Sequence, residues 1–436
     1  MGPTPLRPAG LIESWHITRH FLGLDSCVLV SARYIRPDGP ILSKEHLFAA
    51  LHKVIEQHPI LSVMVQNEES KPSFIRLEKI ELPLVVQFSD NNDLEVAIQR
   101  QLATRFDTAA ELPLWRVEVL NDSTVILAYH HGIGDGLSGV AFHRSLLAAL
   151  QDVGDASGSL VVQVSESLSL LPPIEAVTNV WPSLRKIITE VFSLLLPASW
   201  KRGYYAWNAN PVSKTPDFTP HVKLITFSGE EMAAFAKICR SHSATVTSAF
   251  YVLAAAILSR LVPPHSPQYK TLTAVIAISL RGVAGASADA FCDYVSGHMS
   301  TPSINSAFQW PAAARYAAEL QRQKTAVRQE IGMIYLIASN IAGFMKGMLG
   351  GKRRATFEIS NTGRVPAVEG VGPWRVERMV FAQSDLVVGA ALKINVTGDP
   401  TGAVTIALTW GEAAIDGEVV ESFAAQFQEG LRALLV

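Results

Sequence analysis

Charge and cysteine are both scarce in this 436-residue sequence. Only 17% of the residues are charged, and the 37 basic and 39 acidic side chains nearly cancel. Because a nucleic-acid surface needs a basic stripe or domain, this balance argues against a nucleic-acid partner. The three cysteines, Cys27, Cys239 and Cys292, are far apart and odd in number, so they indicate neither a disulfide framework nor a cysteine-rich metal site. We therefore expect a reducing, cytoplasmic location.

The first residues also lack the apolar core of a signal peptide, and Leu6 stands where a myristoylation signal needs Ser or Thr. Residues 187–198 are apolar but too short to cross a bilayer. Residues 331–350 are long enough, yet Ser339, Asn340 and Lys346 favour a buried or interfacial helix over a span. The positive mean hydropathy of +0.22 leaves peripheral attachment to a membrane or lipid droplet open.

The sequence does contain enough apolar material for a large core, since 48% of its residues are hydrophobic. A chain of this length favours two domains of similar size. Composition changes to small and polar residues after Asp152, and stretches with Pro and Asn bracket a partly helical connector. We expect an N-terminal domain over residues 1–152, a linker over 153–220 and a C-terminal domain over 221–436.

Hydrophobic periodicity predicts mixed α and β structure in both halves. In the first half it predicts strands at 27–35, 115–120 and 124–130 and helices at 44–57 and 137–151. In the second half it predicts strands at 221–227, 273–280, 355–360, 375–381, 387–397 and 404–410 and helices at 243–261, 312–328 and 417–436.

One stretch stands out for chemistry: residues 130–136 read HHGIGDG, between a predicted strand and a predicted helix. Successive strand residues point to opposite faces, so His130 and His131 cannot share one environment. We expect the three glycines to allow a tight turn with positive φ and to leave room for a substrate. An imidazole with its ordinary pKa near 6.5 is well suited to take a proton from a hydroxyl at neutral pH.

The other residues of this motif leave alternatives open. Asp135 could fold back to orient the imidazole, or it could form a structural ion pair that holds the loop. His130, His131 and Asp135 could also bind a metal ion. However, adjacent strand histidines diverge, and no further cluster of His and Cys has zinc spacing. We therefore expect no metal.

These residues resemble the active-site motif of the HHxxxDG acyltransferase superfamily, which includes chloramphenicol acetyltransferase, plant BAHD acyltransferases, carnitine acyltransferases and nonribosomal condensation domains. Further stretches are similar to its fungal alcohol acetyltransferase branch, and together they cover nearly the whole chain. They are residues 13–23, the LPPIE of 171–175, the ISLRG of 278–282, the FCDYVSG of 291–297 and the ISNTG of 359–363. The chain lacks the DFGWG motif of the plant branch, which puts a BAHD assignment in doubt.

The resemblance implies an α/β (α+β) fold of two chloramphenicol-acetyltransferase-like domains, with mixed sheets and a channel between them. It implies that His131 is the general base, that Asp135 is mainly structural, and that Gly136 keeps the path to His131 open. Arg281 is expected either to pair with Asp135 or to lie at a solvated strand end.

The resemblance also implies sites around the substrates. Ser360 or Asn361 is expected to help stabilise an oxyanion, and His130 is placed in the same substrate group. His298 is expected to line the acceptor pocket or to have a structural role. His16 and His20, which flank Arg19, either border the channel or serve as surface or capping residues.

The implied reaction moves an acyl group, with acetyl expected, from a CoA thioester to a hydroxyl of a hydrophobic small molecule or secondary metabolite. Acetyl-CoA or another acyl-CoA would be a co-substrate, and no permanently bound cofactor is expected. An amine acceptor and an acyl carrier protein donor are alternatives, and the working form is expected to be a monomer. Two other readings keep the fold: condensation or product release from a carrier-protein thioester, and a repurposed cyclase or isomerase.

Overall fold

The computed structural model describes residues 5–37, 41–152, 158–201, 203–216, 218–262, 268–366, 372–384 and 387–435. The first residues of the predicted linker, 153–157, lie outside the described residues.

Strands and helices are interspersed along the chain. The strands in the described residues are β1 (Arg7–Pro8), β2 (Val28–Ile35), β3 (Val63–Gln66), β4 (Ser73–Arg76), β5 (Lys79–Glu81), β6 (Val86–Ser89), β7 (Trp115–Leu120), β8 (Thr124–Tyr129), β9 (Val161–Gln163), β10 (Ala206–Trp207), β11 (Pro220–Phe227), β12 (Thr271–Leu272), β13 (Ala274–Ser279), β14 (Val295–Ser300), β15 (Ala355–Arg364), β16 (Arg375–Gln383), β17 (Ala390–Gly398) and β18 (Val404–Gly411). The helices there are α1 (Leu11–Phe21), α2 (Lys44–Gln57), α3 (Leu82–Val85), α4 (Leu94–Ala103), α5 (Gly136–Asp152), α6 (Ile174–Val177), α7 (Leu184–Leu195), α8 (Gly229–Ser241), α9 (Val246–Leu261), α10 (Arg281–Ala284), α11 (Trp310–Ala326), α12 (Arg328–Met333), α13 (Ile341–Lys346) and α14 (Gly417–Ala433).

Two large mixed sheets organise these elements. A five-stranded sheet has the order β16-β2-β8-β7-β6, and a six-stranded sheet has the order β11-β18-β17-β15-β13-β14. The β6–β7 pair is parallel in the first sheet, and β15 is parallel to both β13 and β17 in the second. The mixed α/β class expected from the sequence is confirmed.

The two halves of the chain are joined through one strand. Strand β16 comes from the C-terminal half but pairs antiparallel with β2 in the sheet of the N-terminal half, where Gln383 lies opposite Val28. The sequence predicts this strand but carries no signal for its partner. The predicted domain bounds remain a prediction, and β16 shows that the two sheets are built from exchanged segments.

Each sheet carries its own apolar core because helices cover one of its faces. Helix α5 packs against α2 and against β2 in the N-terminal half. Helix α2 begins at Ser43, as predicted, because the Ser43 hydroxyl accepts a hydrogen bond from the His46 N–H at 3.4 Å. In the C-terminal half α9 is almost entirely buried and contacts α11 and α14.

The apolar stretch over residues 331–350 is not one helix. It is divided among α12, a 3₁₀ turn at Ile334–Leu336 and α13. The Asn340 side chain accepts a hydrogen bond from the Gly343 N–H at 2.8 Å, and this cap begins a new helix instead of continuing the old one.

Within the described residues, no one helix combines the length and the apolar character needed to cross a bilayer. Taken together, α8 and α9 meet that requirement, but they are bent by 93° relative to each other.

Candidate active site at the histidine pair

The histidine pair lies where strand β8 ends. Strand β8 stops at Tyr129, one residue earlier than predicted, and His131–Ile133 form a single 3₁₀ turn before α5 begins at Gly136. The chain leaves the middle of a buried sheet here, so the two imidazoles are held by packing on both sides. As the strand geometry predicted, they have different surroundings: His131 stacks on His16, and His130 lies against His20.

Helix α1 supplies both partner histidines. His16 and His20 are four residues apart, so they lie on the same face of α1 and meet the two diverging rings. Both are buried. Their burial argues against a surface role, and the alternative that they border the channel stays a prediction. Their i, i+4 spacing was the sequence signal that they share one helix face.

His131 stacks almost face to face on His16, with ring centroids 3.6 Å apart and an angle of 4° between the ring planes. The His131 Nδ1 atom is buried and lies 3.9 Å from the Asp293 Oδ2 atom. The His131 side chain keeps 12% of its surface exposed, which leaves Nε2 as the nitrogen able to meet a substrate. Burial, together with the nearby Arg19 charge, lowers the pKa of His131 to about 4, so the ring is neutral at pH 7.

Asp135 has a structural role in this geometry. Its Oδ2 atom pairs with the Arg281 Nη1 atom at 2.5 Å and accepts the Tyr294 N–H at 3.2 Å. Its Oδ1 atom accepts the N–H groups of Leu137 and Ser138, which caps the N-terminus of α5. The expected ion pair with Arg281 is present and buried. Asp135 therefore ties the motif loop to the C-terminal half, and its oxygens are occupied by partners other than the His131 ring.

The glycines of the motif differ from expectation. None of Gly132, Gly134 and Gly136 has a positive φ. A Cβ atom at Gly132 would lie 2.7 Å from an Ile17 side-chain carbon, and one at Gly134 would lie 2.4 Å from the Phe291 ring. The prediction of a left-handed turn was wrong: these residues are small because side chains of the protein itself press against the backbone.

Gly136 also packs against protein atoms. A Cβ atom there would lie 2.8 Å from the Phe381 ring on β16 and 3.3 Å from the Thr362 methyl group on β15. Gly136 thus lets strands of the C-terminal half approach the motif closely. Its expected role in keeping a path open to His131 stays a prediction.

Ser360 and Asn361 reach the same region on β15, but their polar groups are engaged. The Ser360 hydroxyl donates to the Glu358 Oε1 atom at 3.2 Å and accepts from the Gln383 Nε2 atom at 2.8 Å. The Asn361 Nδ2 atom donates to the Thr247 hydroxyl at 3.0 Å. Their expected oxyanion role stays a prediction. Ser360 would have to release its bond to Glu358 to donate to an oxyanion, whereas the Asn361 amide has a second N–H group.

His298 lies on β14, beside helix α11. Its Nε2 atom is 3.7 Å from the Glu319 Oε1 atom, and its ring lies near the Tyr316 ring. These contacts favour the structural alternative over the acceptor-pocket role.

His130 is more fully enclosed than its neighbour, with 0% of its surface exposed. Its Nδ1 atom accepts the Gly132 N–H at 2.9 Å, and the His20 ring lies 4.5 Å away. Burial and the positive charge of nearby groups lower the pKa of His130 well below its usual value, so it is also neutral. The expected substrate or oxyanion contact for His130 stays a prediction, and the enclosed position of the ring favours a structural role.

Two groups of side chains have a composition that could suit a metal ion: His16, His131 and Asp293, and His20, His130 and Glu68. The hydrogen bonds of these histidines argue against metal binding. A neutral imidazole carries one N–H, so a nitrogen that accepts a bond leaves the proton on the other nitrogen. His16 Nδ1 accepts from Arg19, His130 Nδ1 from Gly132, and His20 Nε2 from Phe106. The tautomers inferred in this way place N–H groups where each metal ion would need a lone pair.

Comparison with known proteins identifies the family of this chain. The sequence pattern of the alcohol acetyltransferase family matches residues 8–430. The chain is 24% identical to the probable alcohol acetyltransferase FCK4 of Fusarium pseudograminearum, with 96% of this chain and 93% of that protein aligned. It is also 24% identical to the probable alcohol acetyltransferase crmB of Aspergillus fumigatus, with 97% of each protein aligned.

A solved structure is similar over almost the whole chain. The TRI3 trichothecene 15-O-acetyltransferase of Fusarium sporotrichioides superposes with a TM-score of 0.71 at 14% identity, covering 98% of this chain and 94% of the other. The likeness confirms the expected fold of two chloramphenicol-acetyltransferase-like halves.

Proposed function

This chain belongs to the alcohol acetyltransferase family and is an O-acyltransferase, and from that premise we propose that His131 is its general base. The proposed donor is acetyl-CoA or another acyl-CoA, and the proposed acceptor is a hydroxyl group of a hydrophobic small molecule. The observation that carries the proposal is the placement of His131: a neutral ring, held by stacking, with one nitrogen buried and the other available.

The reaction then follows in two proton movements. The Nε2 atom of His131 accepts the proton of the acceptor hydroxyl as that oxygen attacks the thioester carbonyl carbon. The tetrahedral intermediate collapses, the carbon–sulfur bond breaks, and His131 returns the proton to the departing thiolate. The products are the ester and the free thiol, and no covalent acyl-enzyme is needed. General base catalysis of this kind is worth on the order of 10²–10⁴-fold in rate.

Two properties of the site bear on the chemistry. The pKa of His131 is lowered to about 4, so the ring is deprotonated at neutral pH but is a weaker proton acceptor than a free imidazole. Because the motif loop is tied to the C-terminal half through Arg281, the base is held where the two halves meet. Juxtaposing two bound substrates there would supply much of the remaining acceleration.

The choice of acceptor rests on the relatives. The printed name of TRI3 describes acetylation at the 15-oxygen of a trichothecene, and the named fungal relatives are described as probable alcohol acetyltransferases. We propose a fungal secondary metabolite alcohol as the acceptor class.

The test incubates the purified chain with radiolabelled acetyl-CoA and a panel of hydrophobic alcohols, and follows both ester formation and thiol release. The wild-type protein should form labelled ester, and His131→Ala should lose it. His52→Gln is a matched control, since the half-buried His52 lies on α2 and bonds only the Ser159 carbonyl in the described contacts.

Full turnover by His131→Ala would overturn base catalysis. Transfer only from a phosphopantetheinylated carrier protein would overturn the CoA donor while leaving the base in place.

A further inference from the structure

A buried carboxyl group lies beside the proposed base without a hydrogen-bond partner. Both oxygens of Asp293 are buried, and neither has a hydrogen bond within the described residues. The Oδ2 atom lies 3.5 Å from the His16 Nε2 atom and 3.9 Å from the His131 Nδ1 atom. Burial, and then the charges of Asp135 and Glu13, raise the pKa of Asp293 well above its usual range, because a charged carboxyl without a partner is costly there. The position of this carboxyl between two imidazoles therefore calls for a physical reason.

The neighbouring ring has a fixed tautomer. The Arg19 Nη2 atom lies 2.9 Å from the His16 Nδ1 atom, and a guanidinium can only donate. Arg19 is itself held by Asp25, whose Oδ2 atom is 2.5 Å from the Arg19 Nε atom. The His16 proton is therefore on Nε2, which faces Asp293.

The stacked rings are aligned with each other. His16 and His131 lie 3.6 Å apart and nearly parallel, so a rotation of His131 would lose the contact. His16 also stays neutral when its partner becomes charged, because burial and then the His131 charge lower the pKa of His16 well below its usual value. The proposed base therefore stacks on an uncharged ring.

We propose that Asp293 is the positioning residue of the base, with its carboxyl group receiving the N–H groups of both stacked rings. Closing 3.5 and 3.9 Å to hydrogen-bond length requires only a small side-chain movement when substrates bind. Nδ1–H of His131 then lies between Asp293 and the backbone carbonyl of His131 itself, which also favours that proton, and Nε2 keeps its lone pair for the acceptor hydroxyl. The motif residue Asp135 cannot do this, because Arg281 and backbone N–H groups occupy both of its oxygens. This inference rests on the proposed role of His131.

The test compares Asp293→Asn, which keeps the side-chain volume, with the wild-type protein. We expect kcat to fall by about 10- to 100-fold while KM changes little, as for partners that orient a catalytic imidazole. Nitrogen NMR of ¹⁵N-histidine-labelled protein should show the His131 ring as the Nδ1–H tautomer in the wild type and as a mixture in Asp293→Asn. Asp289→Asn is the matched control, since Asp289 lies four residues away in an exposed pair with Arg144.

The outcomes separate this inference from the proposed function. If His131→Ala abolishes turnover but Asp293→Asn keeps kcat and the tautomer, the positioning role is wrong and the base stands. If His131→Ala keeps turnover, the proposed function fails first. His16→Phe keeps a stacking ring without an N–H for Asp293, so it supplies a second kcat test should Asp293→Asn fold poorly.

A separate observation concerns helix α7, which turns its apolar side outward. Leu184, Ile188, Val191, Phe192 and Leu195 recur at helical spacing and have between 48% and 78% of their surface exposed. On the opposite side the Lys186 ammonium pairs with Glu330 on α12 at 2.5 Å, while Thr189 and Glu190 are exposed. An ordinary surface helix instead packs its apolar side against the protein.

Aromatic and basic side chains flank this apolar side. Trp181, stacked on Tyr335, lies before the helix, and Trp200 lies after it with 73% of its surface exposed. The exposed basic residues Arg185 and Lys201 lie near the two ends. Tryptophan and basic side chains at the edges of an apolar helix face complement the headgroups of an anionic bilayer.

We propose that the outward face of α7 binds a phospholipid surface. In flotation with phosphatidylcholine vesicles containing phosphatidylserine, the wild-type protein should float, and the bound fraction should fall at least about tenfold for Ile188→Glu/Phe192→Glu. Ile41→Glu/Leu84→Glu is the matched control, since both residues are exposed apolar side chains elsewhere.

Wild-type protein that stays unbound, or a double variant that floats as well as wild type, would overturn the proposal. Sedimentation velocity tests whether a second copy of the chain binds this face instead. A wild-type dimer that becomes a monomer in Ile188→Glu/Phe192→Glu, together with no vesicle binding, would assign the face to a second copy of the chain.

Discussion

The two sides of the histidine pair are built from the same kinds of residue but differ in their access to solvent. On one side are His131, His16 from α1 and the Asp293 carboxyl; on the other are His130, His20 from α1 and the Glu68 carboxyl. All four rings have lowered pKa values, mainly through burial, so charge state does not distinguish them.

Access distinguishes the two sides. His131 keeps 12% of its side chain exposed, whereas His130 is fully enclosed and its Nδ1 atom is bonded to the Gly132 N–H. Phe106 adds to the enclosure, since its N–H donates to the His20 Nε2 atom at 3.2 Å. The proposed base therefore differs from its enclosed neighbour by a small opening and not by its charge state.

Exchanging each histidine for asparagine tests this contrast most strongly. We expect His131→Asn to lower kcat by about 10²–10⁴-fold, because the base is lost, while the free energy of unfolding changes little. His130→Asn should instead cost about 1–3 kcal/mol of stability through its lost buried contacts, with a smaller effect on kcat. Steady-state kinetics and urea unfolding of both variants give the comparison, and equal kinetic losses would break it.

Breaking the ion pair between Asp135 and Arg281, which holds the motif loop, should have the next largest effect, here on stability. Arg281→Met leaves the buried Asp135 carboxylate without its partner, and we expect a loss of about 3–5 kcal/mol in the free energy of unfolding. The exposed pair of Arg144 and Asp289 is the control, and Arg144→Met should cost at most about 1 kcal/mol. Similar losses from the two substitutions in denaturant unfolding would contradict a structural role for the Asp135 pair.

The close packing around the motif glycines can be tested in the same way. Gly134→Ala places a methyl group within 2.4 Å of the Phe291 ring, and we expect a loss of about 1–3 kcal/mol in thermal or urea unfolding. Gly282→Ala is the matched control, because no atom lies within 4 Å of the added carbon there and the φ of Gly282 is not positive. If Gly134→Ala is as stable as Gly282→Ala, the packing explanation for the motif glycines is wrong.

Much of this site follows from local sequence, and the rest depends on distant pairing. The strand, loop and helix around HHGIGDG were predictable from local sequence. The pairing of Arg281 with Asp135 was one of two alternatives, and it came from the family resemblance. Asp293 was part of a recognised stretch but had no assigned role, because its position depends on how the C-terminal half docks against α1. The docking in turn depends on β16 pairing with β2 across more than 340 residues of sequence. Hydrophobic periodicity identifies a strand but not its partner.

The pH dependence of stability gives the smallest effect per residue and tests both sides at once. Burial lowers the pKa of His131 to about 4 and that of His20 to about 3, against about 6.5 in an unfolded chain. The unfolded state therefore binds more protons between these values, so stability is greatest above pH 6.5 and falls as the pH drops toward 4. Each such histidine should account for about 1 kcal/mol between pH 7 and pH 5.5.

Replacing one histidine on either side should reduce that slope by the same amount, since both rings are buried and neutral. The variants His130→Asn and His131→Asn can be compared by urea unfolding at pH 7 and pH 5.5. A reduced slope for only one of the two would show that the rings differ in proton affinity as well as in access. A slope unchanged in both would show that neither ring is held neutral by burial.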